Sequence, residues 1–245
     1  MRLAVISDLH IGADEFDRNA PGFVDFLRFL EDDHDEIILL GDVYECYFPP
    51  FPWGALGAYD SAARRYREIS DRFRSPRYTV LSGNHDIVAW RKRRIPSQTV
   101  RTAHGMRIFL GHGHDVEPVY RHPLRVRTAE AYMWLAYRLK TLRLPHLYDY
   151  GFRVDYDRNM KDGGQSHVRE ASRILRQERF DVVVFGHTHV ERLVNFRGGG
   201  TYINTGDCLR RKMYASIDTR TGNCSLRHFR GSAVPTEERA HSRSF

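Results

Sequence analysis

Five short apolar runs are spread along the first part of the chain, and each ends in a small or polar cluster. Runs of this length predict buried β-strands. Between the early runs, apolar residues recur three and four positions apart, as in Phe23, Phe26, Leu27 and Leu30, which is the spacing of one helix face. Strands that alternate with helices predict an α/β layered fold. The predicted strands cover residues 3–7, 36–40, 78–82, 107–110 and 181–185.

The region 118–180 has a different pattern, with one helix predicted over 128–144 and a second over 166–179. We interpret this region as an inserted helical cap. After it, strand patterns at 192–196, 201–204, 214–218 and 224–229 alternate with glycine-containing turns and predict β-hairpins. We therefore predict one domain over residues 1–230 with the cap inside it, followed by a disordered polar tail at 231–245.

The composition is that of a globular protein, and 245 residues suit one large domain. No apolar stretch approaches the roughly 20 residues that cross a bilayer, and no secretory signal pattern follows Arg2. The three cysteines, Cys46, Cys208 and Cys224, are too few and too scattered for a disulfide framework. We therefore expect a soluble, cytoplasmic protein without a transmembrane segment.

The net charge is +7, and only four of the 38 basic residues are lysines. Because the planar fork of arginine grips phosphate with two hydrogen bonds, this preference suits a phosphorylated substrate, nucleic acid or an anionic membrane surface. A codon bias or an ion-paired surface explains the preference equally well. The charge therefore leaves small or lipid-linked phosphorylated substrates, nucleic acid and peripheral membrane contact all open as partners, and it says nothing of the oligomeric state.

Metal-ligating residue types follow each of the five apolar runs. Because strand ends in open α/β sheets converge on one crevice, we expect these five motifs to form one site. A single histidine is more often a structural residue than a ligand, but six of the thirteen histidines lie within these motifs. The motif residues are Asp8 and His10, then Asp42, then Asn84, His85 and Asp86, then His112 and His114, and finally His187 and His189.

A glycine precedes the first ligand of four motifs, at Gly41, Gly83, Gly111 and Gly186. We expect these glycines to take the positive φ of a sharp turn out of each strand. Imidazole and carboxylate ligands together suit Mn, Fe or Zn, whereas an all-oxygen site indicates Mg or Ca. About seven ligands converge, and one catalytic zinc needs three, so we predict two cations that share a bridging carboxylate.

These motifs resemble those of the calcineurin-like metallophosphoesterases, in the same order and over residues 8–189. The resemblance implies a four-layer α/β/β/α sandwich of two mixed sheets, with the metals at one edge. It also implies two divalent cations, with Mn as the first expectation and Fe or Zn as alternatives. One cation would bind Asp8, His10, Asp42 and His189, and the other would bind Asp42, Asn84, His112 and His187, with Asp42 as the bridge.

In this resemblance, His85 would contact the substrate phosphate and Asp86 would orient His85. The cations would clamp phosphate oxygens and lower the pKa of a bridging water, so that hydroxide attacks phosphorus in line. His85 would then donate a proton or a hydrogen bond to the leaving oxygen. His114 is either a partner behind the ligands, which we favour, or a substrate contact.

Three features resemble the branch that includes the UDP-2,3-diacylglucosamine hydrolases, which cleave a pyrophosphate. They are Glu45 after Gly41-Asp42, the helical insert between His112 and His187, and the segment 202–207. These hydrolases commonly carry Arg at the place of His85, whereas a His at this place is typical of the wider family. We expect cleavage of a phosphodiester or pyrophosphate, with a phosphomonoesterase or nuclease of the same family as the alternative and a non-catalytic binding scaffold ranked last.

The insert interleaves basic and aromatic residues, for example Arg138 and Lys140 beside Trp134 and Tyr148. Two interpretations stay open for it, a solvated basic face over an aromatic packing stripe and a groove for an acyl chain or a nucleotide. The apolar, proline-rich loop 47–53 is too rich in proline for a core strand, and we predict a substrate-binding lip there.

Overall fold

A computed structural model of the chain describes residues 1–46, 54–118, 120–151 and 162–230. These residues form ten strands in two sheets, with helices between and around them. In chain order the strands are β1 (Arg2–Ile6), β2 (Glu36–Leu40), β3 (Tyr78–Leu81), β4 (Gln98–Ala103), β5 (Met106–Gly111), β6 (Val182–Phe185), β7 (Arg192–Asn195), β8 (Thr201–Asn204), β9 (Met213–Asp218) and β10 (Asn223–His228).

The helices follow the same chain order. They are α1 (Asp14–Asn19), α2 (Phe23–Asp33), α3 (Gly54–Arg65), α4 (Arg67–Arg72), α5 (Ile87–Arg93), α6 (Pro123–Thr141), α7 (Gln165–Glu178) and α8 (Cys208–Arg211), with a short 3₁₀ turn at His114–Val116. None of the helices in the described ranges is long and apolar enough to cross a membrane.

Each sheet has five strands and mixes parallel with antiparallel pairs. The first has the order β10-β9-β1-β2-β3, and β1, β2 and β3 run parallel to one another. The second has the order β4-β5-β6-β8-β7, and β5, β6 and β8 run parallel. In both sheets the central strands therefore send their carboxyl ends, and the loops that follow, to a common edge.

The alternation of side chains along the strands builds the layers. Leu3 and Val5 of β1 lie in the apolar cluster between the two sheets, together with residues of β2, β5 and β6. Ala4 and Ile6 face the opposite way, into a cluster with the helices that cover the first sheet. On the far side of the second sheet, α7 packs on β6 and β8. The predicted α/β sandwich of two mixed sheets flanked by helices is thus confirmed.

Most predicted strands agree with the structure to within one or two residues, whereas β4 was not predicted. Every second residue of β4 is exposed, and Val100 has 44% of its surface accessible, because this strand lies at the edge of its sheet. Its mostly polar sequence lacks the apolar run by which the buried strands are recognised.

The long cap helix begins at Pro123, five residues before its predicted start at 128. His122 caps it by accepting a hydrogen bond from the Leu124 amide, and proline is favourable in a first helical turn. The division into a domain of residues 1–230 with a cap at 118–180 stays a prediction. The predicted tail at 231–245 and the predicted lip at 47–53 lie outside the described residues.

Candidate metal centre

The five motifs meet where the loops after β1, β2, β3, β5 and β6 come together. Three groups of side chains each place one ligand atom per residue within 4.8 Å of the others. Asp42 belongs to two of the groups, and so does His10. The groups are Asp8 with His10 and His189, then Asp42 with His112 and His187, and finally His10 with Asp42 and His85.

The two buried aspartates lie at the centre of these groups. Asp42 accepts a hydrogen bond from the His85 amide at 2.8 Å, and its second oxygen lies 3.2 Å from His112 Nε2. Asp8 Oδ2 accepts bonds from the His187 amide, at 3.1 Å, and from the Ser7 hydroxyl. Asp8 Oδ1 is buried, lacks a hydrogen-bond partner among the described residues, and lies 3.6 Å from His189 Nε2. Such an orphaned carboxylate oxygen is costly without a cation, so this donor set fits a metal ion.

The hydrogen bonds of the histidines indicate which nitrogen can face a metal. His112 Nδ1 lies 2.7 Å from the Leu40 carbonyl oxygen, so its Nε2, 3.2 Å from Asn84 Oδ1, is the nitrogen that could face a metal. In His187, Nε2 lies 2.8 Å from a Glu117 carboxylate oxygen, so Nδ1 is the nitrogen that could bind a metal. Partners of this kind fix the ring orientation of metal-binding histidines.

Two glutamates lie behind the histidines and contact them, and the sequence did not predict these contacts. The Glu45 carboxylate lies 3.1 Å from His10 Nδ1 and 2.9 Å from His85 Nδ1, and it is nearly buried. Glu117 is buried against His187. Glu45 had a signal, because it follows Gly41-Asp42 in the second motif, whereas nothing in the sequence around Glu117 indicated its contact.

His85 is oriented by a different carboxylate from the one that the resemblance implied. Glu45 holds His85 Nδ1, whereas Asp86 accepts bonds from the backbone amides of Val43 and Gly83, both at 2.7 Å. Asp86 is completely buried. Its contacts therefore tie the loop after β2 to the loop after β3, and the orienting contact passes to Glu45.

Burial and the nearby charges shift the pKa of the site's carboxylates in opposite directions. Burial alone would raise the pKa of Asp42, but nearby His112, His85 and His10 hold it well below its usual range. Burial would likewise raise the pKa of Glu45, and the charges and hydrogen bonds of His85 and His10 lower it to about 2. Both carboxylates are therefore ionised at neutral pH, which is the state that binds a cation.

His114 packs beside the ligands. It is buried, and its ring centroid lies 5.5 Å from that of His112 and 5.3 Å from that of Tyr120. Burial, and then the neighbouring His112 and His187, hold its pKa well below the usual range, so the ring is neutral. A buried position next to the ligands suits a supporting role better than contact with substrate.

The ligand residues themselves take the unusual backbone conformation that we predicted for the glycines. Among those glycines, only Gly41 has a positive φ, 89°. Gly83 and Gly186 are needed for space, because a Cβ at Gly83 would collide with Asp42 and one at Gly186 with Ser7. Five of the seven predicted ligands have φ between 49° and 69°, namely Asp8, His10, Asp42, His187 and His189.

Among the described residues of the centre, His189 and His85 are the most accessible. Most of its residues are buried, whereas His189 has 40% of its side chain accessible and His85 has 25%. The His10 ring lies between these two, 4.7 Å from His85 and 5.6 Å from His189 between centroids. A substrate that approaches the centre therefore meets His85 and His189 first.

One protein-family model matches most of the chain. The family model described as calcineurin-like phosphoesterase matches residues 1–191. No protein with a curated description is similar enough in sequence to count as a match.

Solved structures of similar fold are distant in sequence. They include a predicted phosphoesterase from Streptococcus pneumoniae, with 15% identity over 97% of each chain and a TM-score of 0.43. Vps29 from Chaetomium thermophilum has 13% identity over 97% of this chain and 92% of its own, with a TM-score of 0.48. The phosphoesterase Yfce from E. coli has 17% identity over 89% of each chain and a TM-score of 0.42. Similarity at this level carries no argument about function.

Proposed function

Because the chain belongs to the calcineurin-like phosphoesterase family, we propose that it is a hydrolase that uses two divalent cations to cleave a phosphodiester or pyrophosphate bond. The observation that carries this proposal is the pair of ligand groups around Asp8 and Asp42, together with the orphaned Asp8 Oδ1. Both groups combine imidazole with carboxylate, which suits Mn first and Fe or Zn as alternatives.

Each cation has a full set of side chains available. We assign Asp8, His10 and His189 to one cation and Asn84, His112 and His187 to the other, with Asp42 shared. The membership of Asp42 in two of the clusters supports its role as the bridge. When bound, the cations supply the Lewis acidity that polarises phosphate oxygens and makes hydroxide available near neutral pH.

His85 is the residue of this centre best placed to act on the leaving group. Glu45 accepts the Nδ1 proton of His85, so Nε2 is the atom that can donate a proton or a hydrogen bond to the leaving oxygen. The partial exposure of His85 allows substrate to reach it. The ionised Glu45 also holds His10, so one carboxylate positions a metal ligand and the proposed acid together.

For the substrate we propose a pyrophosphate of the UDP-2,3-diacylglucosamine type. Three sequence features suggest this substrate: Glu45, the helical insert and the segment 202–207. Glu45 and the segment 202–207 contact residues of the metal centre. Glu45 positions His10 and His85, and Thr205 Oγ1 lies 2.6 Å from the Ser7 hydroxyl, which in turn bonds Asp8. The choice of substrate therefore rests mainly on the helical insert.

A nuclease of the same family is the second candidate. The net charge of +7 and the predominance of arginine favour it, because phosphate-backbone contacts need positive charge. Binding to nucleic acid releases counterions, so the activity of a nuclease falls steeply as salt increases. Activity that depends only weakly on salt would count against this candidate.

The test is a metal analysis of the purified protein, followed by an activity panel with added Mn. The panel compares a phosphomonoester, a phosphodiester, a cyclic nucleotide, a nucleic acid and a UDP-sugar pyrophosphate. We expect Asp42→Ala to abolish activity on every substrate and to lower metal content, because it removes the shared ligand. Asp25→Ala, on an exposed side chain of α2, is the matched control and should behave as wild type.

His85→Ala separates the proposed acid from the metal ligands. We expect it to lower turnover by roughly 100-fold while metal content falls much less. Equal metal loss in His85→Ala and Asp42→Ala would contradict the role of His85. A purified protein with no bound transition metal and no activity on any aryl phosphate would instead support a non-catalytic scaffold.

A further inference from the structure

The cap helix and the segment after it expose an unusual number of large apolar side chains. Of the seven such side chains that are exposed in the described residues, only Val100 lies elsewhere. Leu142 has 70% of its surface accessible, and Leu124 and Tyr150 have 65% each. We call the other six the leucine face: Leu124, Leu135, Leu142, Leu144, Leu147 and Tyr150.

The leucine face lies on α6 and on the helical stretch that follows it. Leu124, Leu135 and Leu142 follow one another at intervals of eleven and seven residues, which places them along one side of α6. Residues 146–151 form a second helical stretch that carries Leu147 and Tyr150. The Tyr132 hydroxyl donates to the Leu147 carbonyl oxygen at 2.8 Å and joins the two parts.

Packing of the opposite side of α6 keeps this face outward. Val126 is buried on the side of the helix opposite Leu124 and Leu135, and the buried Ala136 lies about 100° around the helix from Leu135. A helix that buries one side and exposes leucines on the other side presents them to a partner. Exposed patches of this kind mark interaction sites with proteins or membranes.

The charge around the leucine face selects the kind of partner. Residues 121–151 contain six basic residues and only two acidic ones, Glu130 and Asp149. All six basic residues are exposed, and Arg125, Arg138 and Arg143 lie next to leucines of the face in the sequence or one turn away. A second copy of the chain would bring these like charges together, which disfavours self-association. Nucleic acid would leave the leucines without apolar contacts.

We propose that the leucine face and its surrounding arginines dock on an anionic lipid bilayer. A helix that combines exposed leucines with basic residues can lie in the interface, with its apolar side chains among the acyl chains and its arginines at the headgroups. Anionic headgroups attract such basic segments. This docking goes beyond the proposed hydrolysis and does not depend on it.

The start of the cap is attached to the candidate metal centre. Tyr120, just before α6, has its ring centroid 5.3 Å from that of His114 and 5.9 Å from that of His187. Arg121 Nε donates to the Asp115 carbonyl oxygen at 3.0 Å and fastens the start of the cap to the loop after β5. The start of the cap therefore contacts the loop after β5, which carries His112 and His114.

Co-sedimentation of the full chain with vesicles tests the proposal. One set of vesicles contains phosphatidylcholine alone, and the other contains phosphatidylglycerol as well. We expect the protein to bind the second set, less at high salt because screening weakens the arginine contribution, and to bind the first set weakly. Leu142→Ser with Leu144→Ser should weaken binding to the anionic vesicles by roughly tenfold or more.

Matched variants separate the apolar and the charged contributions. Arg125→Glu with Arg127→Glu should remove the preference for phosphatidylglycerol, whereas Arg197→Glu, in the exposed turn after β7, should not. Val100→Ser is the control for the leucine variants. Thermal unfolding of each variant shows whether it is folded, so that loss of binding is not confused with loss of structure.

Three results would overturn the proposal. The first is wild-type protein that stays in the supernatant with anionic vesicles at low salt. The second is a double leucine variant that binds as well as wild type. The third is a dimer that the double leucine variant loses while no variant binds vesicles, which would identify the leucine face as an interface between copies. Activity of the protein enters none of these measurements.

Discussion

At the scale of single residues, the candidate centre combines strained backbone with fixed side chains. Left-handed φ angles at Asp8, Asp42 and His187 cost about 1–3 kcal/mol each in residues other than glycine. Hydrogen bonds between the loops hold this conformation, for example from the Leu9 amide to the Asp42 carbonyl oxygen at 2.9 Å. Strain of this kind persists where the surrounding structure fixes it, and it occurs typically at functional sites.

Variants of Glu45 and Glu117 distinguish the positioning of His85 from the binding of metal. Glu45→Gln keeps the shape but loses the charge that faces His10 and His85, so we expect kcat to fall roughly 10- to 100-fold, together with a loss of metal affinity. Glu117→Gln weakens the support of His187, so we expect weaker metal binding and near-normal kcat once Mn is saturating.

Titration with Mn by calorimetry and steady-state kinetics at saturating Mn measure both effects. Glu191→Gln, at a half-exposed side chain that pairs with Arg211, is the matched control. Unchanged kcat and metal affinity in Glu45→Gln would contradict the positioning role.

At the scale of helices and strands, the sequence predicted best the elements that a local apolar pattern marks. The apolar runs of β1, β2 and β6 are buried on both faces and were recognisable as strands. β4 was missed because this edge strand is mostly polar and contains no apolar run. The apolar spacing of residues 62–73 is that of one helix, whereas the structure ends α3 at Arg65 and begins α4 at Arg67.

The convergence of the candidate ligands was predictable for the same local reason, since each of their motifs follows a strand. Their partners were not, because the contact of Glu117 with His187 joins residues 70 positions apart. The contact of Glu45 with His85 likewise depends on how the loops after β2 and β3 lie together. Hydrogen-bond partners of this kind follow from tertiary packing and leave no periodic signal in the sequence.

The junction of α2 with β9 predicts how stability depends on pH. His34 ends α2, and its ring lies 3.2 Å from the Leu30 carbonyl oxygen and 2.9 Å from the Ser216 hydroxyl. Burial lowers the pKa of His34 in the folded protein below its ordinary value of 6.5. The unfolded chain therefore binds more protons at mildly acid pH, and this contribution to stability is lost as the pH falls below about 6.5.

His34→Gln should remove that dependence while it keeps a polar side chain at the end of α2. We expect the free energy of unfolding of the variant to vary less between about pH 5 and 7 than that of wild type, by up to about 1.4 kcal/mol for each pH unit. Urea unfolding at several pH values measures it. His146→Gln, at an exposed residue of the cap, is the control. Parallel pH profiles for wild type and His34→Gln would contradict the assignment.

At the scale of the whole molecule, the centre joins the two sheets. Asp8, His10 and Asp42 follow strands of the first sheet, whereas His112 and His187 follow strands of the second. Each of the two proposed ligand groups draws residues from both sheets, the first through His189 and the second through His112 and His187. A bound cation would therefore tie the sheets together at the edge where their loops meet, in addition to any role in catalysis.

Metal removal should consequently lower the stability of the whole fold rather than loosen one loop. Ligands that bind only the folded state stabilise it by about 2.7 kcal/mol when free ligand is near 100 times Kd. For a chain of this size that corresponds to roughly 5–10 °C in Tm. We expect Mn to raise the Tm of chelator-treated protein by about this amount, and we expect the shift to vanish in Asp42→Asn, because the shared carboxylate is gone. Differential scanning calorimetry measures it, and a single cooperative transition that shifts as a unit distinguishes cross-sheet binding from local ordering. A Tm that is the same with Mn and with chelator would show that no cation links the sheets.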